Sequence, residues 1–315
     1  MAGLMRKLSV LLFCFALTAV LSAGDFKRFY AANAGERIVS IAALPGGGLW
    51  LKSQVEKGGG EVSRVLVPSM HRAYRIPVGL TPLAAAAASG ILMQQGEKLY
   101  FRSLLKSGML LSYDFTKAYP EKFASQLSAS PSLLGLSYQN NESWCKVVIS
   151  ATGLSSERKC EPNLSRSSNT TIGGINIVNH GFAAEKGAFV FHPQDKPNEI
   201  FSLEPVASGK TLIEWGQTAE MGWAVTSVSR NFPMAPPRRL IKIFSAADGL
   251  QLAKTQIAQE APAKGLAVAF KLTPDSPDAL AVITGAGLGW WAPKAEHIDD
   301  WGEVTLDLAA AKAAE

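Results

Sequence analysis

The feature that most constrains this sequence is a strand–turn–strand pattern returning about every 45–50 residues. Ile41-Ala-Ala-Leu-Pro-Gly46-Gly-Gly-Leu49-Trp50-Leu51-Lys52-Ser53 matches Ile91-Leu-Met-Gln-Gln-Gly96-Glu-Lys-Leu99-Tyr100-Phe101-Arg102-Ser103. The shared order is an aliphatic residue, a glycine, Leu, an aromatic, an apolar residue, a base and Ser. A weaker copy runs from Leu136 to Trp144, with Asn141 in the glycine position, where Asn best tolerates positive φ. Another starts at Phe182 and continues through Gly187 to Phe189-Val190-Phe191. Further strand-like segments follow the hairpins at Arg64–Val67, Met109–Tyr113, Glu199–Leu203 and Leu240–Phe244.

Between these segments stand Gly, Pro, Asn and Asp, and no long, capped 3.6-residue pattern occurs. The best helical composition is the alanine run within Leu83–Ala88, and Leu308–Glu315 is expected to form at most one or two helical turns. The chain is therefore expected to be all-β. Repeats of this length with three or four strands each are the mark of propeller blades. Six blades fit, at 38–78, 83–127, 132–172, 174–216, 218–258 and 263–308, the fifth irregular. Seven thinner blades or a pair of β-sandwiches are the alternatives. The segment 26–31 belongs to no hairpin and carries aromatics on both faces, so it is expected to pair with 303–308 and close the ring.

Two passages carry a resemblance. Leu240-Ile-Lys-Ile-Phe244-Ser-Ala-Ala-Asp248-Gly249-Leu-Gln-Leu resembles the third-strand, turn, fourth-strand passage of WD-repeat-like and quinoprotein-like β-propellers. Leu272-Thr-Pro274-Asp275-Ser-Pro-Asp278-Ala-Leu280 resembles their first-to-second-strand turn, and Glu303–Leu308 looks like a final third strand. The likeness is architectural. Neither a recurring Trp-Asp pair nor the tryptophan-docking repeats of quinoproteins is present, so no quinone or other cofactor is implied.

The start of the chain speaks to compartment. Arg6 and Lys7 precede the apolar run Leu8–Leu21, and the small residues Ser22, Ala23 and Gly24 stand before Asp25. That is the layout of a secretory signal peptide, with cleavage expected within 22–24 and a mature domain over 24–315. The apolar run is shorter than the roughly 20 residues of a membrane-spanning helix. Cleavage removes Cys14 and leaves Cys145 and Cys160, an even pair in an oxidising compartment that is expected to form a disulfide. Asn141, Asn163 and Asn169 begin glycosylation sequons, which matter only in a host that glycosylates exported proteins. The formal net charge is +5, two units of it from the leader, too small an excess to imply a nucleic-acid partner. The mature chain is expected to be monomeric.

Catalytic patterns fail on context. Ser103-Leu-Leu-Lys106 has the spacing of a Ser-x-x-Lys acyl enzyme, but it continues a strand, where residues three apart face opposite sides. Gly209-Lys210-Thr211 ends like a phosphate loop, but Glu204 stands where its first glycine belongs. His71, His180, His192 and His297 lack the spacing of a metal helix. Acids near strand ends (Asp114, Asp195, Glu204, Glu214, Asp275, Asp278, Asp299, Asp300) offer a glycosidase pair only if the fold sets the separation. Binding has its own candidates: Trp290 and Trp291 after the glycine-rich Gly285–Gly289, read as a stacking edge on a flexible turn, and Arg238 and Arg239 in the Pro-rich insert Phe232–Arg239. The expectation is an exported, non-catalytic propeller scaffold that binds a protein or an envelope glycan. The alternative is a carbohydrate- or ester-acting hydrolase or lyase with its site at the central channel.

Overall fold

Short apolar runs bounded by residues that accept positive φ become strands, and the chain is all-β. The computed structural model describes residues 25–56, 58–87, 90–96, 98–104, 110–114, 124–129, 135–139, 143–150, 153–162, 181–196, 199–204, 210–228, 238–257, 265–273, 275–284 and 287–313. Strand β1 is Lys27–Ala31. Sheet I contains β2 (Glu36–Ala43), β3 (Leu49–Val55), β4 (Glu61–Val67) and β5 (Arg72–Ile76). Sheet II contains β6 (Thr81–Ala86), β7 (Gly90–Gln95), β8 (Lys98–Ser103) and β9 (Leu110–Asp114). Sheet III contains β10 (Ala124–Ala129), β11 (Gly135–Gln139), β12 (Ser143–Ser150) and β13 (Gly153–Pro162).

Sheet IV is β14 (Gly181–Glu185), β15 (Ala188–His192) and β16 (Phe201–Glu204). Sheet V is β17 (Lys210–Gln217), β18 (Met221–Val228), β19 (Arg238–Ser245) and β20 (Gln251–Ile257). Sheet VI is β21 (Ala267–Lys271), β22 (Asp278–Thr284) and β23 (Gly287–Trp291). The chain continues into β24 (Gly302–Thr305) and β25 (Lys312–Ala313). Among the described residues these make six sheets, each built around consecutive strands, and none closes on itself.

Three outside strands complete the sheets. β1 returns to the edge of sheet VI beside β23, while β24 and β25 add in parallel to β5 and β9. The expected pairing of 26–31 with 303–308 is therefore incorrect. The N-terminal strand does join the last meander, but its partner is 287–291. Gly287 makes this approach feasible, since a Cβ there would lie 2.1 Å from the Tyr30 carbonyl oxygen. The glycine-rich run read as a flexible turn thus ends in a strand.

The repeat itself needs a second correction. Ile41–Ser53 covers the first and second strands of sheet I, whereas Ile91–Ser103 covers the second and third of sheet II. A hairpin signal reports a tight turn between two apolar strands, and a meander has several such turns, so matching hairpins need not be equivalent ones. Two boundaries shift for the same reason: 124–129 opens sheet III instead of ending the second unit, and 210–217 opens sheet V instead of ending the fourth. That last shift supplies the strand the irregular fifth unit lacked. Leu240–Leu252 and Leu272–Leu280 do form third-to-fourth and first-to-second passages of their sheets.

The alanine run is a strand, against its helix propensity. Ala84 and Ala85 are fully buried, and the Pro45–Gly48 turn lies directly on them. Ala85 donates its N–H to Pro45 O at 3.0 Å, and Gly48 donates to Ala85 O at 3.1 Å. A Cβ on Gly48 would come within 2.4 Å of the Ala85 Cβ, so only small residues allow the contact. Tertiary packing outweighs a propensity difference of well under 1 kcal/mol per residue. Near the C-terminus Leu308–Ala310 is a single 3-10 turn, capped by Asp307.

The chain divides into two compact units, one holding 179–259 with residues 1–27 and 290–296, the other holding 28–178, 260–289 and 297–315. The first has an aromatic core of Phe182, Phe189, Phe191 and Phe244 with Ala224. In the second, aliphatic residues such as Val65, Ile91 and Met93 pack with Tyr74, Tyr100 and Leu306. The second unit also buries a charge. Arg64 on β4 is fully covered and donates from Nη1 and Nη2 to both oxygens of Glu36, at 2.6 and 2.9 Å, and from Nε to Glu303 at 3.3 Å. Glu303 lies on β24, so this pair and the backbone bonds from Gly302 N to His71 O and from Leu306 N to Arg75 O hold the C-terminal segment on sheet I. Nearby, Trp301 donates from Nε1 to Phe29 O and stands edge-on to Phe29 and Tyr30.

Candidate functional site

Within the 179–259 unit, the ends of β14 and β15 and the turns of sheet V border a cleft of about 640 Å³. That volume lies within the range of small-molecule sites. Its floor is aromatic but sealed. Phe182 stacks on Phe189 with ring centroids 5.3 Å apart and packs on Phe191 at 5.0 Å, and both Phe182 and Phe191 are almost wholly covered. Glycines admit these rings: a Cβ on Gly222 would meet the Phe182 ring at 2.5 Å, and one on Gly249 would meet Phe191 at 2.8 Å.

The rim is fixed by hydrogen bonds. Gln217 accepts the Phe182 N–H on Oε1 at 2.9 Å, tying sheet V to sheet IV. Thr218 Oγ1 accepts from the backbone N–H groups of Glu220 and Met221, both at 3.2 Å, which sets the β17–β18 turn. Ala246 N donates to Glu220 O at 3.0 Å, joining that turn to the β19–β20 turn. Ser245 Oγ accepts from Ala247, and Asp248 accepts from Leu250. Ala219, Ala246 and Ala247 keep the rim low, while Gln194, Asp195 and Gln217 are exposed along it. His192 forms part of the wall, its Nε2 2.6 Å from Glu185 Oε1. A carboxylate only accepts, so Nε2 carries the proton of this contact.

Elsewhere three of the acids singled out from the sequence, Glu204, Asp278 and Asp299, are held by bases. Glu204 is buried, ion-paired with Lys242 and 3.6 Å from Lys210 Nζ. Burial, together with the charge of Lys254 across the ladder, pushes the Lys242 ammonium below its ordinary pKa. Asp278 lies 3.5 Å from Lys271, and Asp299 pairs with Arg28. Of the acids singled out, Asp195 lines the cleft. His297 Nδ1 accepts from the Arg28 N–H at 3.0 Å, and His71 lies beside Trp301. Among the described residues, no three potential ligands come together for a metal. His180 and Lys106 lie outside the described residues, as do Asn141, Asn163 and Asn169 and the leader.

The binding residues expected from the sequence are not where an exposed edge needs them. Trp290 and Trp291 lie in β23 and are 5% and 7% exposed, and the Trp290 indole donates to Glu296 O at 2.8 Å. They are packing residues and cannot stack on a ligand. Arg238 and Arg239 open strand β19, paired with Val228 and Ser227, so they are not in the insert. The rest of the insert and the Arg238 side chain lie outside the described residues. Cys145 and Cys160 are Cα partners in the β12–β13 ladder, with their side chains outside the described residues. The cleft was missed because its residues come from four separate loops and strand ends; Phe182-x-Ala with Gly222 and Gly249 signals packing, not a site.

No family model and no curated protein matches the chain. Among solved structures it is similar to the extracellular domain of a one component system from B. thetaiotaomicron, with a TM-score of 0.25 and 10% identity. The match covers 85% of this chain and 40% of that one, and a score this low assigns neither fold nor function. No helix among the described residues is long and apolar enough to cross a membrane.

Proposed function

We propose that this chain is an exported six-bladed β-propeller serving as a binding scaffold for an envelope glycan or protein. The propeller reading is supported by six sheets each built from consecutive strands among the described residues, and by β1, which returns from the N-terminus to join the last meander. Adding the first strand to the last meander covers an otherwise open edge of β23. Export is supported by the leader-like start of the sequence, and a Cys145–Cys160 disulfide by the register that makes them partners.

The observation that carries the binding role is the cleft beside His192 and Gln217, with its sealed floor and hydrogen-bonded rim. A rim held by its own backbone is ordered before a ligand arrives, which lowers the entropic cost of binding. The carboxylates best placed for acid–base work instead sit in ion pairs, as Glu204 does with Lys242. The test uses purified residues 24–315. They are screened against an oligosaccharide array and, in parallel, cross-linked to isolated envelope fractions, and every capture is repeated with the purified component. Saturable binding to one component supports the scaffold; turnover of any captured component, or no saturable binding in either arm, overturns it.

A further inference from the structure

The cleft in the 179–259 unit offers chemistry specific enough to choose among ligands. Its accessible polar groups alternate in kind. Gln217 has its Oε1 occupied by Phe182 N and keeps the two N–H donors of its carboxamide. Gln194 brings both a donor and an acceptor and Asp195 brings acceptors, while the buried His192 is part of the wall. A hydroxyl both donates and accepts, so a polyol matches such a row without leaving any group unpaired.

Other ligand classes fit less well. Among the described residues that line the cleft, no lysine or arginine faces it, and Asp195 adds a negative charge. Lys196, next in sequence, pairs with Glu199 at 3.3 Å. An acidic sugar or a phosphate would meet repulsion with no compensating cation. A protein partner needs an anchor pocket for an aromatic or aliphatic side chain. Here Phe182 and Phe191 are 4% and 2% exposed, so no apolar pocket opens.

We infer that this cleft binds an uncharged, hydroxyl-rich saccharide, held at its edges by Gln194, Asp195 and Gln217. The inference rests on the scaffold reading above and narrows it to one ligand class and one site.

The experiment measures binding of residues 24–315 to neutral, amino-bearing and acidic oligosaccharides on one array, followed by calorimetry with the best neutral binder. Two variants accompany the wild type. Ala247→Trp fills the cleft from an exposed turn position, and Asp195→Ala removes one acceptor. The expected result is neutral-sugar binding that weakens at least tenfold in Ala247→Trp and severalfold in Asp195→Ala, with melting temperatures unchanged. If Ala247→Trp alters the melting temperature, Asp195→Ala decides the matter alone. Neutral binding that survives the decisive variant within twofold overturns the site and leaves the scaffold reading standing. Preference for acidic sugars overturns the ligand class. Absence of all sugar binding overturns the inference, and the scaffold reading then stands or falls on the cross-linking arm.

Discussion

Replacing Arg64 with alanine removes the guanidinium that binds both oxygens of Glu36, and the consequences follow in sign and size. The guanidinium is fully buried and the Glu36 side chain is 11% exposed, so the variant strands a carboxylate that water barely reaches. Breaking a buried pair from one side costs about 3–5 kcal/mol. For a unit of this size each kcal/mol moves the melting temperature by roughly 2–4 °C, which puts the expected drop on the order of 10 °C. The drop depends on pH. In the native protein burial alone raises the Glu36 pKa, but the hydrogen bonds and charge of Arg64 outweigh it, and the carboxyl sits below its ordinary value. A depressed carboxylate contributes stability above its unfolded pKa and loses it as pH falls through the folded one. Without Arg64 burial is opposed only by the weaker pull of Asn33 and Arg75, so the Glu36 pKa rises relative to the native protein and the deficit narrows toward acid. Thermal melts of wild type, Arg64→Ala, and Arg64→Ala with Glu36→Gln at pH 7 and pH 4 measure this. The double variant should recover most of the loss at pH 7. A deficit below about 1 kcal/mol, or one that neither acid nor Glu36→Gln relieves, would refute the account.

Other expectations follow from the same packing. Tyr30 is pushed up to about 12 by burial, partly offset by Arg64, so its neutral form is favoured in the folded state. Stability should be intact below about pH 10 and fall between pH 10 and 12, by about 2–3 kcal/mol for this one group; alkaline melts of Tyr30→Phe should lack that component. Gly287→Ala places a methyl 2.1 Å from Tyr30 O and should expose the β1 amides to rapid hydrogen exchange, whereas unchanged protection would mean that β1 does not depend on this approach. Gly48→Ala presses on Ala85 and should cost about 1–3 kcal/mol in a denaturant titration. Alkylation of the unfolded, unreduced mature protein should find no free thiol at Cys145 or Cys160, and reduction should lower stability by about 3 kcal/mol.

What the sequence by itself determined is local. Ile41–Ser53, Phe182–Phe191 and Leu240–Leu252 are strand–turn–strand units because period-2 apolar runs flank residues such as Gly46, Gly187 and Gly249, which sit at positive φ. Such signals travel with a few neighbouring residues and read correctly without the rest of the chain. What only the tertiary structure decided is pairing and exposure. Any strand edge offers the same N–H and C=O groups, so nothing in 26–31 says that its partner is 287–291 instead of 303–308. Trp290 and Trp291 look like a binding edge until the fold buries them in β23, the Trp290 indole bonded to Glu296 O. Ala84–Ala86 looks helical until the Gly46–Gly48 turn lies on it. Arg64 reads as an ordinary strand residue, and only the convergence of Glu36 and Glu303, 28 and 239 residues away, makes its burial affordable. The cleft belongs to the same category: its polar groups become a site because four strand ends and turns meet, and that meeting is set by long-range packing, to which a local sequence pattern is blind.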